Sequence, residues 1–196
     1  MDDKEVLPGI VLIHGGGWIG GSRKAFGQTE QGLARIGYVV ANIDYRLAAE
    51  AKFPGAVLDC KAVVRWMRAN AEDLGVDPDR IAAIGGSAGG HLAAMVATTS
   101  GDSVFIGEEN YLDKSDALQA VIIMGSGVDQ VTRVRESKCG RIKNCVIFFG
   151  GEYVEVPEIY AQGSLITHLS RTTPPSSCSM VEMISRARGM VRFGKS

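Results

Sequence analysis

Ile81-Ala82-Ala83-Ile84-Gly85-Gly86-Ser87-Ala88-Gly89 is the stretch that decides how this chain folds. Its first four residues form an apolar run of strand length, and Gly85 opens a turn. From Ala88 to about Thr98 the chain is rich in Ala, Leu and Met and reads as a helix. A serine held in so sharp a strand-to-helix turn tolerates only very small residues two positions to either side, which Gly85 and Gly89 supply. An acyl-transfer site needs a nucleophile exposed in this way. Gly-x-Ser-x-Gly is a weak signal in a chain with 25 glycines. Its weight comes from the strand before it and the helix after it, and the bland alternative is a tight turn that happens to hold a serine.

The same alternation extends to either side. Gly9 to His14 is a continuous apolar run, as for a strand buried on both faces. A glycine-rich turn follows, and Ser22 is placed to cap a helix ending near Arg35, with Gly37 as its stop. Tyr38 to Ile43 is the next strand. Pro54 begins a long helix through about Leu74, whose apolar residues Val57, Ala62, Val63, Trp66 and Met67 suit one buried face. Leu118 to Met124 is a fourth strand, and Gly125 to Asn144 reads as loop or a poorly formed cap. Strands alternating with helices predict an α/β fold, with a mostly parallel sheet flanked by helices.

A second glycine-rich motif, His14-Gly15-Gly16-Gly17-Trp18, also follows directly on an apolar strand. Glycine lets backbone N–H groups approach a developing oxyanion closely. A phosphate-cradling loop is the alternative, but the Gly-Lys-Ser/Thr ending of a P-loop is missing. A dinucleotide-binding reading needs an acidic residue about 20 positions beyond its glycine turn. Asp44 is at the wrong spacing for that, and the Ser87 turn would go unexplained.

Together the two motifs resemble the hormone-sensitive-lipase-like and feruloyl-esterase-like branch of the α/β-hydrolase family. Asp44-Tyr45-Arg46-Leu47, Phe53-Pro54 with Asp59, Phe149-Gly150-Gly151, Tyr160, Ser164 to His168 and Thr173-Pro174-Pro175 extend the likeness over about residues 8–175. The resemblance implies Ser87 as nucleophile and an oxyanion hole formed by the N–H groups of Gly16, Gly17 and Ala88. It implies that His14 orients the glycine loop together with Gly15, and that Asp44 and Arg46 are structural. No metal or cofactor is implied.

The resemblance then departs from its pattern. The family orders its triad as Ser, then Asp or Glu, then His. After the Pro-Pro pair it has an apolar strand ending in His-Gly-x-x-Asp, with the catalytic His some tens of residues later. Here Ser176 to Ile184 does not read as that strand, and no histidine follows His168. The remaining candidates for the base are His91, four residues beyond Ser87, and His168. Shifting the frame by one base within the Pro175 codon allows Ser176 to Ile184 to read Phe-Leu-Leu-Leu-His-Gly-Gly-Asp-Asp. The domain reading is therefore an incomplete hydrolase core over residues 1–175 and an atypical, out-of-frame tail over 176–196. Only Met1 to Pro8 precede the first strand, so the sheet is expected to lack terminal strands and to offer exposed edges for a homodimer.

Bulk properties agree with a single domain. With 196 residues, 45% of them hydrophobic, the chain can bury a sizeable core. Its formal net charge of -1 gives no reason to expect a nucleic-acid or membrane partner. Cys60, Cys139, Cys145 and Cys178 show neither CxxC spacing nor clustering with histidine, so neither zinc nor a disulfide framework is expected. Without a signal-like start or a long apolar run, the cytoplasm is the expected location. The functional expectation is a carboxylic-ester hydrolase acting on small acyl or aryl esters. Its rival is a catalytically impaired fragment that keeps the oxyanion hole and substrate binding but lacks the triad Asp and His.

Overall fold

The computed structural model describes residues 6–107, 111–136, 142–169, 180–184 and 191–192. β1 (Leu7–Ile13) is the apolar run that the sequence places in the interior, and Ile10 to Ile13 are buried without interruption. A 3-10 turn (Arg23–Phe26) and the helix α1 (Thr29–Arg35) lead to β2 (Val39–Ile43). The single Ser22-capped helix expected here is thus two pieces. The Ser22 side chain makes no capping bond, and Gly27, at φ 50°, interrupts the run.

α2 (Gly55–Ala69) and the single turn α3 (Ala71–Leu74) replace the one helix expected through Leu74. Asn70 separates them, and its side-chain amide donates to the Trp66 carbonyl at 2.8 Å, the competition with backbone bonding that disfavours Asn inside helices. The buried face of α2 also differs from expectation. It carries Ala56, Val57, Cys60, Lys61, Val64 and Met67, whereas Trp66 is 40% exposed.

β3 (Val76–Gly86) is followed at once by α4 (Ala88–Thr98), as expected, and then by β4 (Ala120–Met124). The stretch read as loop or cap forms two short helices, α5 (Gln130–Glu136) and α6 (Ile142–Phe149); α7 (Pro157–Gln162) and α8 (Leu165–Leu169) follow. The backbone of β5 (Met180–Ile184) runs parallel to β4, and β6 (Val191–Arg192) pairs antiparallel to β5. β5 thus lies within Ser176 to Ile184, the stretch that does not read as the family's apolar strand ending in His-Gly-x-x-Asp; its pairing gives the N–H and C=O groups on the free edge of β4 partners. The rest of the proposed out-of-frame tail, 185–190 and 193–196, lies outside the described residues, as do 170–179.

The sheet order is β2-β1-β3-β4-β5-β6. β1 pairs parallel with both β2 and β3, setting Ile13 opposite Ile43 on one side and Gly85 on the other. The loops leaving β1, β2 and β3 therefore emerge side by side at one edge. The chain steps outward in opposite directions from β1 and β3, so the crevice beyond their carboxyl ends is the switch point where α/β sheets bind ligands. Val121 and Ile123 of β4 are buried, while Ile122 and Met124, on its other face, are 37% and 42% exposed.

One buried polar cluster ties α2 to the segment between α4 and β4. Lys61, fully buried, donates to Asp116 Oδ2 at 3.0 Å and to the Thr99 carbonyl at 2.6 Å. Arg65 Nη1 lies 3.6 Å from the same carboxylate, and Ser100 donates to its other oxygen at 2.7 Å. Removing the carboxylate leaves two buried cations uncompensated. Asp116→Ala is expected to lower unfolding free energy by about 3–5 kcal/mol in urea titrations. Asp77→Ala, at a surface ion pair with Arg80, should leave it nearly unchanged.

Candidate active site

Ser87 stands at the carboxyl end of β3 with φ 53° and ψ -118°, and it is exposed to solvent. A non-glycine residue in this region is strained, and such strain persists only where the surroundings impose it. They do so here. The Ser87 N–H donates to the Met124 carbonyl at 2.8 Å, and the first intrahelical bond of α4 runs from the His91 N–H to the Ser87 carbonyl at 3.1 Å. A side chain at Gly85 would collide with the Gly89 carbonyl, and one at Gly89 with the carbonyls of Ile13 and His14. The two glycines thus let α4 start directly against the exit of β1, which is why the motif needs them.

The glycine loop lies beside this turn. A Cβ on Gly15 would sit 2.9 Å from the Gly86 carbonyl and 3.5 Å from Ser87 Cβ. Gly16 and Gly17 hold φ of 121° and 63°, which glycine reaches without steric cost. The Gly16 carbonyl accepts from the Ile19 and Gly20 N–H groups at 3.3 and 3.2 Å, closing the turn. Among the described residues the N–H groups of Gly16 and Gly17 meet no acceptor. The Ala88 N–H, at the first position of α4, has no acceptor one turn back, as at any helix start. Three donors without acceptors therefore flank the Ser87 turn.

His14 is buried, and its Nδ1–H donates to the Gly15 carbonyl at 2.7 Å. Its ring stacks on Tyr45 at 4.2 Å, and the Tyr45 hydroxyl donates to the His14 carbonyl at 3.1 Å. His14 Nε2 lies 3.9 Å from Asp44, whose carboxylate also takes the Arg23 N–H at 2.6 Å. Arg46 grips Asp59 of α2 with Nη2 at 2.6 Å, Nε at 2.9 Å and its own backbone N–H at 2.8 Å. These bonds hold the loops after β1 and β2. Trp18, at φ 64°, is buried and stacks on Phe148 at 4.6 Å.

The structure does not bring either candidate base to Ser87. His91 is buried, with Nε2 2.7 Å from the Gly163 carbonyl and its ring edge-on to Trp18 at 5.3 Å. Burial pushes its imidazole down to about 4, the Gly163 bond opposing and the Arg133 charge adding to the shift. Its Nδ1 has no described partner. His168 Nε2 lies 2.7 Å from the Gln162 carbonyl, and its ring meets Phe105 edge-on at 5.5 Å. Ser87 points out of its turn, whereas both histidines point into packing between helices. Among the described residues no hydrogen-bond partner reaches Ser87 Oγ, and no three His, Cys, Asp or Glu side chains converge as a metal site.

Two residues beside the glycine loop carried no sequence signal. A side chain at Gly17 would collide with the Asn144 amide, and the Arg133 guanidinium lies over the Trp18 ring at 5.4 Å. Their closeness follows from how α5 and α6 pack, which spacing along the chain does not reveal. The strain at Ser87 is directly measurable. Ser87→Gly removes it and Ser87→Ala does not, so the glycine variant should be the more stable of the two by about 1 kcal/mol in urea unfolding. Equal stabilities would mean that the turn is relaxed.

The BD-FAE family model matches residues 1–179. Esterase LipC of Mycobacterium tuberculosis is 32% identical over 171 residues, which is 86% of this chain and 42% of that protein. An arylesterase of Saccharolobus solfataricus is 45% identical over 106 residues, covering 51% of this chain and 33% of its own length. The chain thus spans less than half the length of these curated relatives. Among solved structures, the Thermogutta terrifontis esterase Est2 superposes with a TM-score of 0.67 at 29% identity, over 86% of this chain and 57% of that one. A truncated carbohydrate esterase from gut microbiota gives 0.70 at 26% identity, over 85% and 64%. On the strained serine turn, the adjoining glycine loop and the family match together, the chain belongs to the BD-FAE family and has the fold of the α/β-hydrolase esterases.

Proposed function

We propose that this chain carries the nucleophile and oxyanion hole of a serine carboxylesterase that acts on small acyl or aryl esters. The observation that carries the reading is Ser87 at φ 53° and ψ -118°, exposed, with donors lacking acceptors on both sides. Ser87 Oγ attacks the ester carbonyl carbon and, being exposed, passes its proton to solvent water as the C–O bond forms; solvent returns a proton to the departing alkoxide. The carbonyl oxygen becomes an oxyanion bound by the Gly16, Gly17 and Ala88 N–H groups. Its collapse breaks the ester bond, and the alcohol leaves with a proton. Water then attacks the acyl-serine, releases the acid and restores the hydroxyl. The names of the relatives, esterase and arylesterase, support the reaction class.

A second reading has an observation of its own. Ser87 Oγ lacks a described partner, and His91 and His168 are engaged elsewhere. An impaired esterase that binds substrate but turns it over weakly fits this as well, since an oxyanion hole without the rest of a triad keeps only about 10³–10⁴-fold acceleration over water. Hydrolysis of p-nitrophenyl acetate separates the two. Ser87→Ala is expected to lower kcat/KM by about 100-fold or more, while folded His91→Ala and His168→Ala keep the wild-type rate. Equal, low rates in all four proteins would leave only the impaired reading.

A further inference from the structure

Arg133 bridges two parts of the candidate site. Its stem lies against the turn after β4, where a Cβ on Gly127 would be 3.3 Å from Arg133 Cδ. That turn begins just past Met124, whose carbonyl takes the Ser87 N–H. Its guanidinium lies over the ring of Trp18, the residue that follows Gly17. Arg133 therefore spans from the β4 side of Ser87 to its glycine-loop side. Asn144, on α6, sits against Gly17 itself.

Neither polar group is used up by the fold. Among the described residues, the Arg133 side chain has one hydrogen bond, Nη1 to Gln130 Oε1 at 3.2 Å, and no carboxylate within ion-pairing distance. The half-buried Asn144 amide has no described hydrogen-bond partner. By contrast the half-buried Arg68 guanidinium donates to three carbonyls, those of Pro78, Ser115 and Ala117. The charge of Arg133 is felt nearby, since it works against protonation of His91 and favours ionisation of Cys145. A planar fork of donors with no carboxylate of its own matches a carboxylate geometrically.

We infer that Arg133 and Asn144 form a substrate-positioning wall beside the oxyanion loop, and that this wall selects esters bearing a carboxylate a few bonds from the scissile carbonyl. The inference rests on Ser87 being the point of attack. Asn144 positions the ester group next to Gly17, and Arg133 takes the remote carboxylate. Esters of dicarboxylic acids have the required chemistry.

Binding tests this apart from turnover. Trp18 carries the Arg133 guanidinium over its ring and stacks on Phe148, so its fluorescence reports occupancy, and Trp66→Phe removes the other indole. Ser87→Ala/Trp66→Phe protein is titrated with monomethyl glutarate and with dimethyl glutarate. The monoester is expected to bind at least about tenfold more tightly than the diester, a difference that salt diminishes. Arg133→Gln should bring the two to equality, Arg133→Lys should keep part of the preference, and Asn144→Ala should weaken both. Equal binding of the two esters, no saturable signal with either, or a preference that survives Arg133→Gln overturns the inference. Ser87-dependent hydrolysis of p-nitrophenyl acetate by the wild type is read separately. Turnover with equal binding removes the carboxylate subsite and leaves the esterase; a tenfold preference without Ser87-dependent turnover does the reverse.

Discussion

The arrangement depends on one close approach: the start of α4 lies against the carbonyls of Ile13 and His14, with only a hydrogen at Gly89 between them. Any side chain there would push the helix away from β1. The Ser87 turn would then part from the glycine loop, and the donors of the two turns would no longer face one space. Gly85 and Gly15 make the neighbouring contacts in the same way, toward the Gly89 and Gly86 carbonyls. The site is thus built from backbone brought unusually near to backbone, and the side chains around it serve to hold that contact. Tyr45 stacks on His14, Arg46 ties its loop to Asp59, and Trp18 packs on Phe148.

The parts of the molecule differ in how they resist water. β1 is buried along most of its length, and α4 carries ten buried residues in a row from Ala88 to Ala97. This centre is hydrophobic and nearly free of charge. The exception on its flank is Asp116 with Lys61 and Arg65, where ions replace packing. Such a cluster adds little net stability over an apolar equivalent but penalises arrangements that separate its members. It fixes where the segment after α4 returns to the sheet, and so where β4 meets Ser87.

Much of this was legible along the chain because the signals are local. An apolar run ending in glycine, then a serine and an alanine-rich helix, names a strand–turn–helix without reference to the rest of the fold. The central strands, α4, Ser87 and the glycine loop were read in this way. The misreadings arose where distant partners decide. Lys61 is buried on α2 because Asp116 waits across a 55-residue separation. Met180 to Ile184 becomes a strand because β4 offers it an edge. His91 stays away from Ser87 because Ser87 precedes the helix, and the ring of His91 faces Trp18. Arg133 and Asn144 were missed for the same reason, since only the packing of two short helices brings them to the glycine loop.

Ser87 faces open solvent. Two unit charges 4 Å apart attract by about 1 kcal/mol in water and by about 4 kcal/mol at the effective dielectric near a protein surface. On the proposed reading, the N–H donors of an uncovered site work against a medium that stabilises an oxyanion almost as well. Anything that displaces water from this crevice would strengthen the donors without moving an atom of the turn. The pull of these donors on a negative charge is thus a property of how dry their surroundings are.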